Sequence, residues 1–298
     1  MNPISPRQVL SQVAEATPPE FRYHVVVVGS LAAAYHFFKD DPEREVRTKD
    51  IDCVLEPNSS AAEGAAAIAR KLVDVGWRHR VEGNHVGPRP TPQPAADLNA
   101  VRLYPPDSKD YFVELHAVPE SENDTGRNWI PIHLADGYYG LCTLEFLSLA
   151  AYGAELTEFG LRCAHPEMMA LANLLSHPTI GTETMSGLIV GRRIKRSNKD
   201  LGRVIALAFL AGPAVVESWP GPWQHSLQAC FPTRWKELAS RSGSGLRSLL
   251  ESDVDLEEAY FTATVSLLSS HPPTLEQYRI AGDRLVQDAI DPLEGSAR

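Results

Sequence analysis

The chain has little cysteine, four residues in 298: Cys53, Cys142, Cys163 and Cys230. They lie far apart with no CxxC pair and no Cys/His metal spacing. That argues against a disulfide framework or a zinc site and favours reduced thiols in a cytosolic compartment. Long apolar runs are missing too, so no segment is expected to cross a bilayer. The N-terminal MNPISPRQVLSQVAEA lacks a basic stretch followed by an apolar run; no secretory signal is expected, and the expected location is cytoplasmic. Positive charge is scarce. Lys and Arg number 28 against 38 Asp and Glu, a formal net charge of -10, and such a field repels nucleic acid at long range. The exception is local: GRRIKRSNK gathers Arg192, Arg193, Lys195, Arg196 and Lys199, which reads either as a solvated turn or as an anion-contacting patch.

What is present is an ordinary globular composition, 43% hydrophobic and 22% charged, in a chain long enough for two modest cores. Val9, Leu10, Val13 and Ala16 follow helical spacing after Pro6 and predict a helix ending near Pro18 and Pro19. The β-branched run HVVVV predicts a strand buried on both faces, Gly29-Ser30 ends it, and LAAAYHFF starts a helix. After the polar KDDPEREVRT, DIDCVL returns as a strand, and an alanine-rich helix from Ser60 to Val75 stops at Gly76. WRHRVEG is a further strand candidate. Residues 83 to 97, with four prolines, read as a mobile excursion.

NAVRLYP and DYFVELHAV predict a hairpin through PDSK, WIPIHL an edge strand and FGLRCAHP an extended segment. Beyond Pro166 the pattern is helical, in PEMMALANLLSH, KDLGRVIALAFLAG, TRWKELASR, DLEEAYFTATVSLLSS and TLEQYRIAGDRLVQDAI, with only the terminal EGSAR disordered. The expected fold is α+β or α/β. A mixed sheet of four or five strands flanked by helices occupies residues 1–140, and a mainly helical C-terminal domain occupies 141–298.

The chemistry-bearing residues lie in the first part. Side chains two apart in a strand share a face, so Asp50 and Asp52 project together while Ile51, Cys53 and Leu55 face the other way. Two such carboxylates, with Cα atoms about 6–7 Å apart, repel unless a cation compensates them; hard oxygen donors suit Mg²⁺ or Mn²⁺. Glu114 in DYFVELHA is a third acid among apolar strand residues, on a face shared with Phe112 and His116. A lone histidine at a strand end reads as structural. Upstream, Gly29-Ser30 places backbone N–H groups and a hydroxyl at a helix start, where an anion is favoured.

Taken together, VVVVGSLAAAYHFF followed by RTKDIDCVL, and then the acid in DYFVELHA, resembles the signature of the nucleotidyltransferase superfamily over residues 23 to 117. HPEMMALANLL and RRIKRSNKDLGRVIALA are similar to its AbiEii/MenT toxin branch. The resemblance implies a nucleotidyltransferase-type sheet with Gly29, Ser30 and Thr48 at the nucleotide. Asp50, Asp52 and Glu114 would hold Mg²⁺ (or Mn²⁺), with Glu114 helping to activate the attacking hydroxyl and Lys199 on phosphate. It further implies a nucleoside triphosphate substrate, a tRNA 3′ end as acceptor and an antitoxin partner. Residues 172–173 are Ala-Asn where that branch often has lysine, and the third acid is Glu where many members have Asp. A small hydroxylated acceptor, or a non-catalytic nucleotide- or partner-binding module of the same fold, stay open. For Lys199 there is also a local alternative: Ser197-Asn198-Lys199-Asp200 is a capping-box pattern, with Ser197 capping the helix and Asp200 answering it.

Overall fold

A computed structural model describes every residue except 1–3, 42–43, 82–86, 107, 109, 181–182 and 186, with 178–180 described by backbone alone. The chain divides into two compact units, Met1–Ala164 and His165–Arg298. The boundary therefore lies beyond the expected residue 140, which falls inside a strand.

The first unit carries eight strands: β1 (Val25–Val28), β2 (Asp50–Leu55), β3 (Arg102–Leu103), β4 (Phe112–Ala117), β5 (Arg127–Leu134), β6 (Gly137–Leu144), β7 (Glu155–Leu156) and β8 (Arg162–Cys163). They form one mixed sheet in the order β5-β6-β4-β2-β1-β8-β7, with β3 also on β4. β1 runs antiparallel to β2 and parallel to β8, while β4 is parallel to β2 and β6. The expected hairpin is β3 against β4; part of its PDSK turn lies outside the described residues. The expected edge strand is β5, paired along its length with β6.

All four valines of β1 are buried, each contributing about 1.5–3 kcal/mol by leaving water. On one side of the sheet Cys53, Val113 and Leu115 meet Val13 and Thr17 at helix Pro6–Ala16 and Ile68 and Leu72 of helix Asn58–Asp74. The alternate residues Asp50, Asp52 and Glu114 are only part-buried in otherwise buried strands. At the far side of β1, Arg162 fixes β8 by pairing with Glu56 at 2.9 Å and donating to the Tyr23 carbonyl at 2.7 Å.

Two loop expectations change. WRHRVEG contributes a single bridge, Arg78 to Tyr104, and its Glu82 and Gly83 lie outside the described residues. The described part of the proline-rich stretch is not a free excursion. Arg89 exchanges backbone hydrogen bonds of 2.9 and 2.8 Å with Tyr138, Asn99 donates to the Gly87 carbonyl at 2.7 Å, and Ala95–Asp97 forms a 3-10 turn. Proline removes its own donor but leaves neighbours free to bridge.

The second unit is helical around Trp219, Trp223, Phe231 and Tyr278, all fully buried. Helices Arg196–Ala211 and Asp253–Thr264 approach closely at Gly202, where a Cβ would stand 2.8 Å from the Ala259 carbonyl oxygen. The exception to the helical pattern precedes Arg196. Thr184 bridges Lys195 and Ile189 bridges Arg192, closing a hairpin over Val190 (φ 46) and Gly191 (φ 80). The terminal EGSAR is also ordered: Glu294, in helix Asp291–Ser296, pairs with Arg247 at 2.9 Å and accepts from the Gly243 amide at 3.0 Å. Among the described residues no single helix is long and apolar enough to cross a membrane.

Candidate functional site

Strand register assembles the site. Val28 pairs with Asp52, Asp52 with Glu114, and Glu114 with Arg102, so β1, β2, β4 and β3 contribute one transverse row. Cross-strand partners point to the same side, and with them go Asp50, opposite Phe112, and His116, two residues beyond Glu114. The row crosses the sheet where β1 ends and its helix begins, since helix Gly29–Phe38 starts directly after Val28. Gly29 takes φ 75, and a Cβ there would lie 3.1 Å from Asp52 Oδ2. Only glycine lets the helix start pass so close to that carboxylate. Ser30 is buried in the first turn.

Each acid has a distinct neighbour. The buried Thr48 hydroxyl lies 3.0 Å from Asp50 Oδ1 and 3.1 Å from the Asp50 carbonyl oxygen, so it holds Asp50 locally. Asp52 Oδ1 lies 3.4 Å from His116 Nε2, and Glu114 Oε1 lies 3.8 Å from the same nitrogen. Arg102 donates to Glu114 Oε2 from Nε at 2.9 Å and from Nη2 at 2.5 Å. Burial pulls the His116 pKa down. The hydrogen bond to Asp52 and the charges of Glu114 and Asp52 outweigh it, holding the pKa well above the ordinary histidine value. Three carboxylates thus share the row with the Arg102 guanidinium and the His116 ring.

Lys199 belongs to the second unit, in the first turn of helix Arg196–Ala211. The capping box expected around it does not form: the helix begins at Arg196, its N-cap is Lys195, and no side chain caps it. Ser197 sits inside the helix, two residues past the N-cap position. The helix start is served instead by helix Asp253–Thr264. Glu258 accepts from the Lys195 amide at 3.1 Å and from Asn198 Nδ2 at 2.6 Å, and Asp255 from Lys195 Nζ at 2.6 Å and Asn198 Nδ2 at 2.9 Å. The basic stretch is correspondingly reduced. Lys195 is committed to Asp255 and Arg192 stacks on Phe261 at 4.2 Å, leaving Arg193 among the exposed cations.

Comparison with known proteins returns no match: no family model, no curated protein and no solved structure matches the chain. The geometry therefore stands on its own. It brings Gly29, Ser30, Thr48, Asp50, Asp52 and Glu114 into one region of the first unit, and it adds Arg102 and His116. The signal for Arg102 was available: in the hairpin NAVRLYP/DYFVELHAV, opposite charges fall on facing strands.

Proposed function

We propose that the first unit is a metal-dependent nucleotidyltransferase of the corresponding sheet type, moving a nucleoside monophosphate from a nucleoside triphosphate to a hydroxyl acceptor. The observation that carries this reading is the Val28–Asp52–Glu114 register, which sets a helix start opened by Gly29-Ser30 against two same-face acids. An anion binder and a hard-cation binder stand side by side, as a metal-complexed triphosphate requires. Asp50 and Asp52 fit the cation: both offer oxygen donors and both are part-exposed in buried surroundings. Glu114 fits less well, because its Oε2 already accepts twice from Arg102, and it is left out of the donor set.

When bound, Mg²⁺ or Mn²⁺ supplies neutralising charge at the reacting phosphate. The chain's own part is to bind and orient. Thr48 fixes the Asp50 carboxylate, His116 bears on Asp52, and the Gly29-Ser30 turn offers backbone N–H donors to an anion. Charge supports the reading as well: Asp50 and Asp52 set two like charges on one face of the strand, which a divalent cation would neutralise for an approaching polyphosphate.

The test is transfer of label from each of four α-labelled nucleoside triphosphates, with Mg²⁺, to total RNA and to a panel of small hydroxylated molecules. Asp52→Ala is expected to keep the thermal unfolding of the wild type and to lose transfer by at least ~100-fold; undiminished, metal-dependent turnover in that variant sinks the assignment. Label on RNA marks a tRNA-type acceptor and the toxin-like branch, in which an antitoxin partner is expected. Label on a small molecule marks the other. One observation favours a second reading, a non-catalytic nucleotide-binding module: Arg102 already compensates one of the three acids. Triphosphate binding without pyrophosphate release decides for it.

A further inference from the structure

Arg102 is the one cation in the row that is held rigidly and still open. Its guanidinium carbon lies over the Phe112 ring at 4.3 Å, and Nε and Nη2 both donate to Glu114 Oε2, two contacts that fix its position. A guanidinium has five N–H donors. Two go to Glu114; the other three have no acceptor among the described residues, and the side chain is 25% exposed. Phe112 is itself buried and packs against Tyr104, 5.1 Å between ring centroids, so the ring under the guanidinium is held in place. Arginine held in this way loses little entropy when an anion docks, and its planar fork suits phosphate better than a lysine does.

Position gives the anion its class. Arg102 closes one end of the transverse row and the Gly29-Ser30 helix start closes the other, about three strand spacings or ~14 Å away, with Asp52 between them. We propose that Arg102 is a phosphate-binding residue of this site, with Glu114 as the positioning residue that aims it and not as a metal ligand. The inference rests on the nucleotidyltransferase reading, which supplies a substrate carrying several phosphates. It assigns to Arg102 a phosphate of the nucleotide; a phosphate of the acceptor is the other source of the same chemistry.

The test is isothermal titration of the full chain with inorganic triphosphate and Mg²⁺, together with Mn²⁺ affinity by electron paramagnetic resonance. Arg102→Ala is expected to weaken triphosphate binding about 10- to 100-fold, the loss of charge-assisted hydrogen bonds, and Arg102→Lys is expected not to restore it. Glu114→Gln, which still accepts from Arg102, is expected to bind triphosphate and Mn²⁺ within about threefold of wild type, while Asp52→Asn loses Mn²⁺ by more than about tenfold. Because Arg102→Ala leaves the part-buried Glu114 carboxylate unpaired, which destabilises the fold, Arg102→Gln/Glu114→Gln keeps a neutral pair and is expected to show the same triphosphate loss. Wild-type triphosphate affinity in Arg102→Ala and in Arg102→Gln/Glu114→Gln, with Asp52→Asn still defective, overturns the role of Arg102 and leaves the transferase reading standing. If those variants keep triphosphate affinity but raise the KM for a labelled RNA acceptor, the nucleotide assignment is overturned in favour of the acceptor's phosphate. A tenfold loss of Mn²⁺ in Glu114→Gln restores Glu114 as a ligand and overturns its positioning role. Failure of the wild type to bind triphosphate at all overturns the transferase reading and this inference with it.

Discussion

At residue scale, Val190 stands out in the second unit. A β-branched side chain at φ 46 is strained, since its Cβ crowds the carbonyl, and yet Val190 and Gly191 close a hairpin whose Ile189 and Arg192 exchange backbone hydrogen bonds of 2.9 and 3.0 Å. Two successive positive φ values match the tight turn for which Asn-Gly is the preferred pair. Val190→Asn is expected to slow hydrogen exchange at the Arg192 amide and to stabilise the hairpin by about 1 kcal/mol. Unchanged or faster exchange would mean that the turn gains nothing from relief of strain. Thr48 and His116 make a related point: each earns its place by what it does to a neighbouring carboxylate, a role that neither residue type announces in a sequence.

At element scale, helix Arg196–Ala211 is anchored by the carboxylates of helix Asp253–Thr264, and this predicts a pH dependence. The hydrogen bond from Lys195 holds the Asp255 carboxyl below its ordinary range, against burial, with a further bond from Asn198. The same bond holds Lys195 above its ordinary value. A depressed carboxyl pKa contributes stability at pH values above its unfolded pKa of about 3.9 and loses it as pH falls through the folded pKa; a raised lysine pKa contributes below about 10.4 and fades as pH rises through the folded value. The stability difference between wild type and Asp255→Asn is therefore expected to be widest between those limits and to vanish in strong acid. A constant gap at every pH, followed by thermal unfolding, would show that the carboxylate's charge is irrelevant to the anchor.

Elements with a strong local signature were legible in advance. The valine run, DIDCVL and the alanine-rich helix each follow one period and end at a residue that forces the stop, as Gly76 does at φ 99. Strands made by pairing rather than by composition were not. β6 contains GYYGLCTL, whose three small or polar breaks blur the alternation, and β7 is two residues long, whereas the extended segment expected at FGLRCAHP does carry β8. The hairpin closed by the Thr184–Lys195 and Ile189–Arg192 bridges was hidden under its positive charge. Of the candidate site, same-face acids and the Gly-Ser turn could be read from spacing; that Arg102 and His116 complete it depends on register between strands far apart in the chain.

At the scale of the whole molecule, those late strands set where the first unit ends. β6 lies between β4 and β5, and β8 covers β1. A fragment ending at Ala164 is expected to unfold cooperatively in denaturant, whereas one ending at residue 140 severs β6 and lacks β8. The shorter fragment is expected to show a broad, shallow transition or to aggregate. Equal cooperativity in both would place the boundary earlier than the packing does.

The pairing of β1 with β8 has a consequence in time. Val26 and Val27 meet β2 as soon as Val54 and Cys53 are made, but their other partners are Arg162 and Cys163. A ribosome adding 5–20 residues per second needs roughly 5–20 s to cover that interval. Throughout it, the most apolar strand of the protein presents an open edge, the feature that invites strand addition from another chain. The nascent polypeptide is thus most vulnerable in the middle of its synthesis, and expression at lower temperature or with a holding chaperone is expected to raise the soluble yield.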